Sequence, residues 1–297
     1  MTSMRISTSL LYQRGVNAIE SQQVKLSKTE QQLATGERLL SPADDPFAST
    51  RIVALEEEQS LLDQYNRNSD YALTRLEQEE TALTSAINAL QRLRELAVQT
   101  ANGIYSAEDR RAISEEAYQI RDGLLQVANT SNEDGEYIFS GNRMDTPAYD
   151  SAFNYQGDQG QRFIQIGKSR QVETGDSGYV VFDNIAGAAG GNVMQIADSY
   201  ATFLAGGTQD PNAINDIDSA INHLAVIRSR IGGRVNAIES EKGANDSFSE
   251  SIQKNKSTLK DLDYADAISR FNQELAGLQA AQQSFIKIQN LSLFNYI

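Results

Sequence analysis

The residues best suited to chemistry in this chain fall in a few short runs. Gly175-Asp176-Ser177-Gly178 has the composition of a serine nucleophile region. Acyl transfer by serine also needs a histidine base, and the single histidine, His223, lies beside Leu224 in an apolar-periodic stretch. A tight turn before a strand at Tyr179 accounts for the four residues better. A solvated or half-buried place on a helix accounts for His223. Asp44 and Asp45 have the types of a general acid–base pair. They stand directly before Pro46, however, where carboxylates cap helix starts. One histidine and no cysteine leave no transition-metal ligand set of the usual kind. The glycine-rich run Gly187-Ala188-Ala189-Gly190-Gly191 lacks the Lys and Ser/Thr of a phosphate loop and reads as a flexible connection. Asn129-Thr130-Ser131 has the spacing of a glycosylation acceptor, a pattern short enough to recur by chance. These runs point to no catalytic residue, no cofactor and no metal.

Composition narrows the remaining classes. The 297 residues suffice for two domains and a sizeable core. Without cysteine the fold must be held by packing alone. A formal charge of −14 opposes nucleic-acid binding, which needs clustered Lys and Arg. Aromatic residues make up 7%, too few for a platform that stacks single strands. No run of 18 apolar residues occurs, so no membrane insertion is expected. The opening Met1-Thr2-Ser3-Met4-Arg5-Ile6 lacks the apolar stretch and cleavage site of a secretory signal. That implies the cytosol, or export by a specialised machine that cleaves nothing.

The elements that would position any site are mostly long helices. Tyr12, Ile19, Leu26, Leu33 and Leu40 recur every seven residues, the mark of a helix with one apolar stripe. In Ser41-Pro42-Ala43-Asp44-Asp45-Pro46, Asp45 before Pro46 predicts a helix start. The helix beyond it carries two seams: Leu62, Ser69, Leu76, Leu83, Leu90 and Ala97, then Tyr65, Ala72, Glu79, Ala86 and Leu93. It should end near Asn102-Gly103. Ser106 with Asp109 predicts a capping box for a further helix, with Ile113, Ala117, Ile120, Leu124 and Val127 as its seam. From about Glu136 to Ala205 the period changes. Tyr137-Ile138-Phe139, Phe163-Ile164-Gln165-Ile166 and Tyr179-Val180-Val181-Phe182 predict short strands between turns. Helical spacing returns with Ile214, Ile217, Ile221, Leu224, Ile231, Val235 and Ile238, and continues to Phe285.

The expected fold is mainly α. A long antiparallel coiled-coil or helical-bundle rod forms from the N- and C-terminal segments together, with a small β-rich insert in the middle of the chain. The expected domains are a terminal coiled-coil assembly domain (1–45 with 260–297), a helical rod domain (46–140 with 205–259) and an insert (141–204). The terminal seams run through Ile6, Tyr12, Ile19, Leu26, Leu33 and Leu40. On the C-terminal side they comprise Ile268, Phe271, Leu275, Leu278, Phe285, Leu293 and Phe294. Gln22, Gln23, Gln31 and Gln32 crowd the first, and Gln279, Gln282 and Gln283 the second. Two such helices bury too little to offset ordering costs of roughly 1–2 kcal/mol per residue. They should fray in the monomer and order when many copies pack side by side.

These motifs resemble the flagellin family over nearly all of both helical ends. Met4-Arg5-Ile6-Ser7-Thr8 is similar to the family's opening. Leu33-Ala34-Thr35-Gly36-Glu37-Arg38, followed by Ser41, Pro42, Asp44, Asp45 and Pro46, resembles its signature between terminal and rod helices. The run Leu90 to Gln99, followed by Ala101-Asn102-Gly103, is similar to the rod motif. Filament flagellins typically carry a Phe-Asn-Gly turn and a Leu-Leu-Arg tail. Here Gly135-Glu136-Tyr137-Ile138-Phe139-Ser140-Gly141 and Leu291-Ser292-Leu293-Phe294-Asn295-Tyr296-Ile297 resemble the junction branch, the type 3 hook-associated proteins. That branch usually has Asp where Asn295 stands. The resemblance implies export uncleaved through the flagellar secretion apparatus, with a cytosolic chaperone on the C-terminal helix. It then implies self-assembly as one ring between the first hook-associated protein and the flagellin filament, outside the cell. Filament flagellin itself is the alternative within the family. A coiled-coil signalling protein would share the heptads but leaves the insert and the terminal motifs unexplained.

Overall fold

The computed structural model describes residues 8–102, 104–188 and 191–293. Among the described residues, seven helices and one short antiparallel sheet follow in the order α1 (Thr8–Thr35), α2 (Pro46–Ala101), α3 (Ala107–Ala128), β1 (Phe163–Gln165), β2 (Gln171–Glu173), α4 (Gly178–Phe182), α5 (Val193–Ala205), α6 (Ala213–Lys260) and α7 (Tyr264–Leu293). The chain divides into two compact units. One comprises residues 1–60 and 248–297, the other 61–247, so the division falls inside α2 and α6.

In the larger unit the heptads of α2 are a true core. Leu76, Leu83, Leu90, Leu93, Ala72 and Ala86 are all buried. Facing them are Ile217, Leu224, Ile231 and Ile238 of α6 and Ala117 and Leu124 of α3. The predicted capping box is present: Ser106 accepts from the Asp109 amide at 3.1 Å, and Asp109 accepts from the Ser106 amide at 3.0 Å. His223 is half-buried, with Nε2 3.0 Å from the Val180 carbonyl. The Asn129 amide pairs with both backbone groups of Tyr149 at 2.9 Å, which gives that residue a structural occupation.

The middle segment differs from its sequence reading in three places. Tyr179–Phe182 is not a strand but lies in the short helix α4, entered through Ser177. Val181 and Phe182 are buried there, with the Phe182 ring edge-on to Phe139 at 5.0 Å and to Tyr149 at 6.0 Å. Packing against those rings overrides the β-preference of the valines. Tyr137-Ile138-Phe139 makes only an isolated bridge, Tyr137 with Ser131, and otherwise turns. The sheet is instead β1 with β2, registered Phe163↔Glu173, Ile164↔Val172 and Gln165↔Gln171. Within the span given over to strands and turns also lies α5, an apolar helix capped by Asn192 and packed on α3.

Gly175-Asp176-Ser177-Gly178 leads into α4, and Asp176 joins a buried ionic cluster. Arg234 of α6 holds both Asp176 oxygens, at 2.8 and 3.0 Å, and pairs with Glu173 of β2. The Asp176 amide donates to Glu79 of α2 at 3.2 Å. The side chain of Asp176 is 0% exposed and that of Arg234 11%. Burial pushes the Glu79 carboxyl up to about 8; the Asp176 charge adds to the rise and Arg234 opposes it.

Folded Glu79 therefore keeps a proton that the unfolded chain gives up near its ordinary value of 4.5. Stability from this residue is fully present below that value and is lost as pH rises through about 8. Glu79→Gln should melt level with the parent near about pH 5 and be about 1–3 kcal/mol more stable near about pH 9. Thermal melts across that range test it; parallel pH profiles for the two proteins would refute the assignment.

Candidate assembly interface

The smaller unit is built on α1 and α7, which pack against each other as the terminal seams require. At Gly15 the two helices meet closely. A Cβ there would stand 2.6 Å from Cδ2 of Phe285, so only glycine admits that ring. Tyr12 closes over the same ring at 5.0 Å between centroids. Farther along, the Gln22 amide donates to the Glu274 carbonyl at 3.1 Å and lies over Gly277, where a Cβ would come within 2.8 Å of it. Thus at least one of the crowded glutamines is spent on joining the helices.

Beyond α1 the chain reverses at Gly36, whose φ of +73° suits glycine. The helix ends at Thr35, so Leu40 lies past it and not on its stripe, and Leu39 is the buried residue of the pair. Backbone bonds lace this reversal to the α6–α7 connection: the Arg38 amide to the Lys260 carbonyl at 2.7 Å, and the Leu262 amide to the Gly36 carbonyl at 3.0 Å. The Arg38 guanidinium adds a bond to the Leu259 carbonyl at 2.7 Å, and Lys260 pairs with Glu37 at 2.8 Å.

The two aspartates of the helix-start motif have separate structural tasks. Asp45 accepts from the Ala48 amide at 3.0 Å and caps α2, with Pro46 as the first helical residue. Asp44 accepts from the Leu40 and Ser41 amides, both at 3.1 Å, and from Lys28 at 2.5 Å. The Lys28 hydrogen bond holds its carboxyl below the usual range. Ser41 and Pro42 are exposed at the turn. Both carboxylates are thus committed to backbone amides and a cation, Lys28 for Asp44 and Arg38, at 3.6 Å, for Asp45.

The seams themselves are only half covered. Ile19, Leu26 and Leu33 of α1 are half-buried, as are Phe271, Leu278 and Phe285 of α7. Tyr12 and Ile268 are each 50% exposed, and Leu275 is 37% exposed. None of these matches the complete burial of Leu76, Leu83 and Leu90 in the other unit. Leu10, Leu11, Val24 and Ile286 add exposed apolar surface that the seven-residue spacing missed. The adjacent pair Leu10-Leu11 is the sequence signal that could have revealed two of them. Ile6 and Phe294 lie outside the described residues, as does the side chain of Leu293.

Two helices that hide half of each stripe retain little to offset their ordering cost. In the dilute monomer, limited proteolysis should cut first within residues 5–40 and leave a resistant fragment spanning 61–247. Amides of α1 should exchange at least about tenfold faster than those of the Leu76–Leu93 stretch. Equal protection of the two regions would contradict a seam that awaits a partner.

Comparison with known proteins accords with this arrangement. The family model for the bacterial flagellin N-terminal helical region matches residues 6–144, and that for the bacterial flagellin C-terminal helical region matches residues 214–297. Flagellar hook-associated protein 3 of Escherichia coli K12 is 28% identical, covering 98% of this chain and 99% of its own. Its counterpart in Salmonella typhimurium is 26% identical with the same coverage. A solved structure described as a flagellar hook-associated protein of Vibrio parahaemolyticus superposes with a TM-score of 0.67 at 26% identity, covering 73% of this chain and all of that one.

Proposed function

This chain belongs to the bacterial flagellin family, and from that premise we propose that it is a structural subunit of the junction between flagellar hook and filament. The observation that carries the reading is that likeness to hook-associated proteins runs the length of the chain, insert included, rather than stopping at the helical ends. Half-covered seams on α1 and α7 supply the means. Copies set side by side bury the remaining parts of those stripes against each other, each apolar side chain contributing roughly 0.5–1.5 kcal/mol. The same head-to-tail contact repeated with a helical operator gives an open tube, of which this chain forms one ring. The hook-facing side of that ring meets the first hook-associated protein, and the filament-facing side meets flagellin. Export precedes assembly: the uncleaved chain passes the flagellar secretion apparatus after release from a cytosolic chaperone on α7. Terminal helices that order only on docking suit such a passage.

A clean deletion tests the proposal, scored for hooks by electron microscopy and for filament protein in the medium. Intact hooks, missing filaments and abundant shed flagellin are expected. Missing filaments with no flagellin in the medium would make this chain the filament protein, and normal filaments would remove it from the junction.

A further inference from the structure

An open-sided cleft of about 520 Å³ lies in the middle segment, walled by Phe153, Tyr155 and Tyr179. Its volume is that of a small-molecule site. The remaining lining is almost entirely amide and carboxylate: Asn154, Gln159, Asp183, Asn184, Asn192 and Gln195. Among the described lining residues there is no aliphatic side chain and no lysine or arginine.

Backbone strain singles out the same cleft. Phe153 (φ 65°) and Asn184 (φ 54°) are the two non-glycine residues in the left-handed region among the described residues, and both line it. Such strain persists where surrounding bonds over-determine it and gathers at ligand sites. The bonds are visible here. Asn192 donates to the Phe153 carbonyl at 2.8 Å while its own oxygen caps α5 through the Gln195 amide at 2.9 Å. The Asn184 amide is held by the Gly191 carbonyl at 3.2 Å, and Tyr149 donates to Asp183 at 3.2 Å. Arg121 stacks over the Phe153 ring at 5.7 Å, but its charge is taken by Asp122 and Asp198.

What remains unspent defines the ligand. The Tyr179 hydroxyl and the side-chain amides of Gln159, Asn184 and Gln195 have no protein hydrogen-bond partner among the described residues. Planar groups that donate and accept together match vicinal hydroxyls, and half-buried aromatic faces match the C–H face of a pyranose. The lack of a lining cation disfavours anions, and the lack of aliphatic surface disfavours lipid.

We propose that this cleft binds a neutral saccharide, in an activity separate from assembly. The test is saturation-transfer NMR on the full-length protein with maltose, lactose and diacetylchitobiose, with N-acetylneuraminic acid and a lysine-rich peptide alongside. Saturable binding of at least one neutral disaccharide is expected, with the anionic sugar weaker. Tyr179→Ala and Asn184→Gly should each weaken it about tenfold or more. Glycine adopts the left-handed backbone of residue 184 readily, so the second variant removes the amide and preserves the fold. Failure of every neutral sugar, or binding that survives both substitutions, would overturn the proposal. Binding of the peptide alone would also overturn it, making the cleft a polypeptide site.

Discussion

Replacing Leu275 and Leu278 together by Ser, or Phe285 alone by Ser, is expected to abolish incorporation at the junction while leaving residues 61–247 fully folded. Phe285 is the ring on which Gly15 and Tyr12 close, so its loss opens the α1–α7 pair from within. Leu275 and Leu278 lie on the same helix, the first 37% exposed and the second half-buried, with apolar surface left for a neighbour. Only the uncovered part of each side chain, about a third, is left to bury on assembly, so the double change removes about 1–2 kcal/mol per subunit contact. That is about one order of magnitude in association, repeated at every contact of a ring. Thermal unfolding of the larger unit should shift by no more than about 0.5 kcal/mol, as distant surface changes do. Microscopy of hooks from strains carrying each variant, with incorporation scored by immunolabelling, decides the matter. Normal incorporation of both variants would separate the terminal seam from assembly.

The second large effect concerns the ionic cluster of the larger unit. Arg234→Met should destabilise the fold by about 3–5 kcal/mol, because it removes the cation that pairs with Asp176 and Glu173 while the Asp176 side chain stays fully buried. Lysine should recover little, since one ammonium cannot reproduce the fork that holds both Asp176 oxygens. Adding Asp176→Asn to Arg234→Met should return part of the loss by removing the stranded charge. Urea denaturation gives all three values. A loss under about 1 kcal/mol for Arg234→Met would show that water reaches these carboxylates. Because the cluster joins α2, the β1–β2 segment and α6, such a loss should appear first as detachment of the middle segment.

Much of this molecule is local and therefore readable along the chain. The seams of α2, the Asp45–Pro46 start, the Ser106–Asp109 box and the end of α2 at Ala101 each depend on residues within a few turns, and the structure forms all of them. The pairing of α1 with α7 was also legible, because two half-apolar helices at opposite ends of a chain have few other places to bury a stripe. The Leu40 heptad position misled, since periodicity continues in sequence after Gly36 has turned the backbone. The valines of Tyr179–Phe182 misled likewise.

Sequence alone determined the long helices outside the middle segment, the Asp45 and Ser106 caps and most of the apolar stripes, because periodicity and capping are short-range properties of the chain. Tertiary structure alone decided how far each stripe is buried. Leu83 and Leu26 have the same spacing signal, yet one is fully covered and the other only partly. It decided as well that Glu79, a charged residue at a seam position, meets Asp176 and Arg234, which lie far along the chain. Only their joint removal from water makes a cluster of them, and it is the packing of three distant segments that excludes the water.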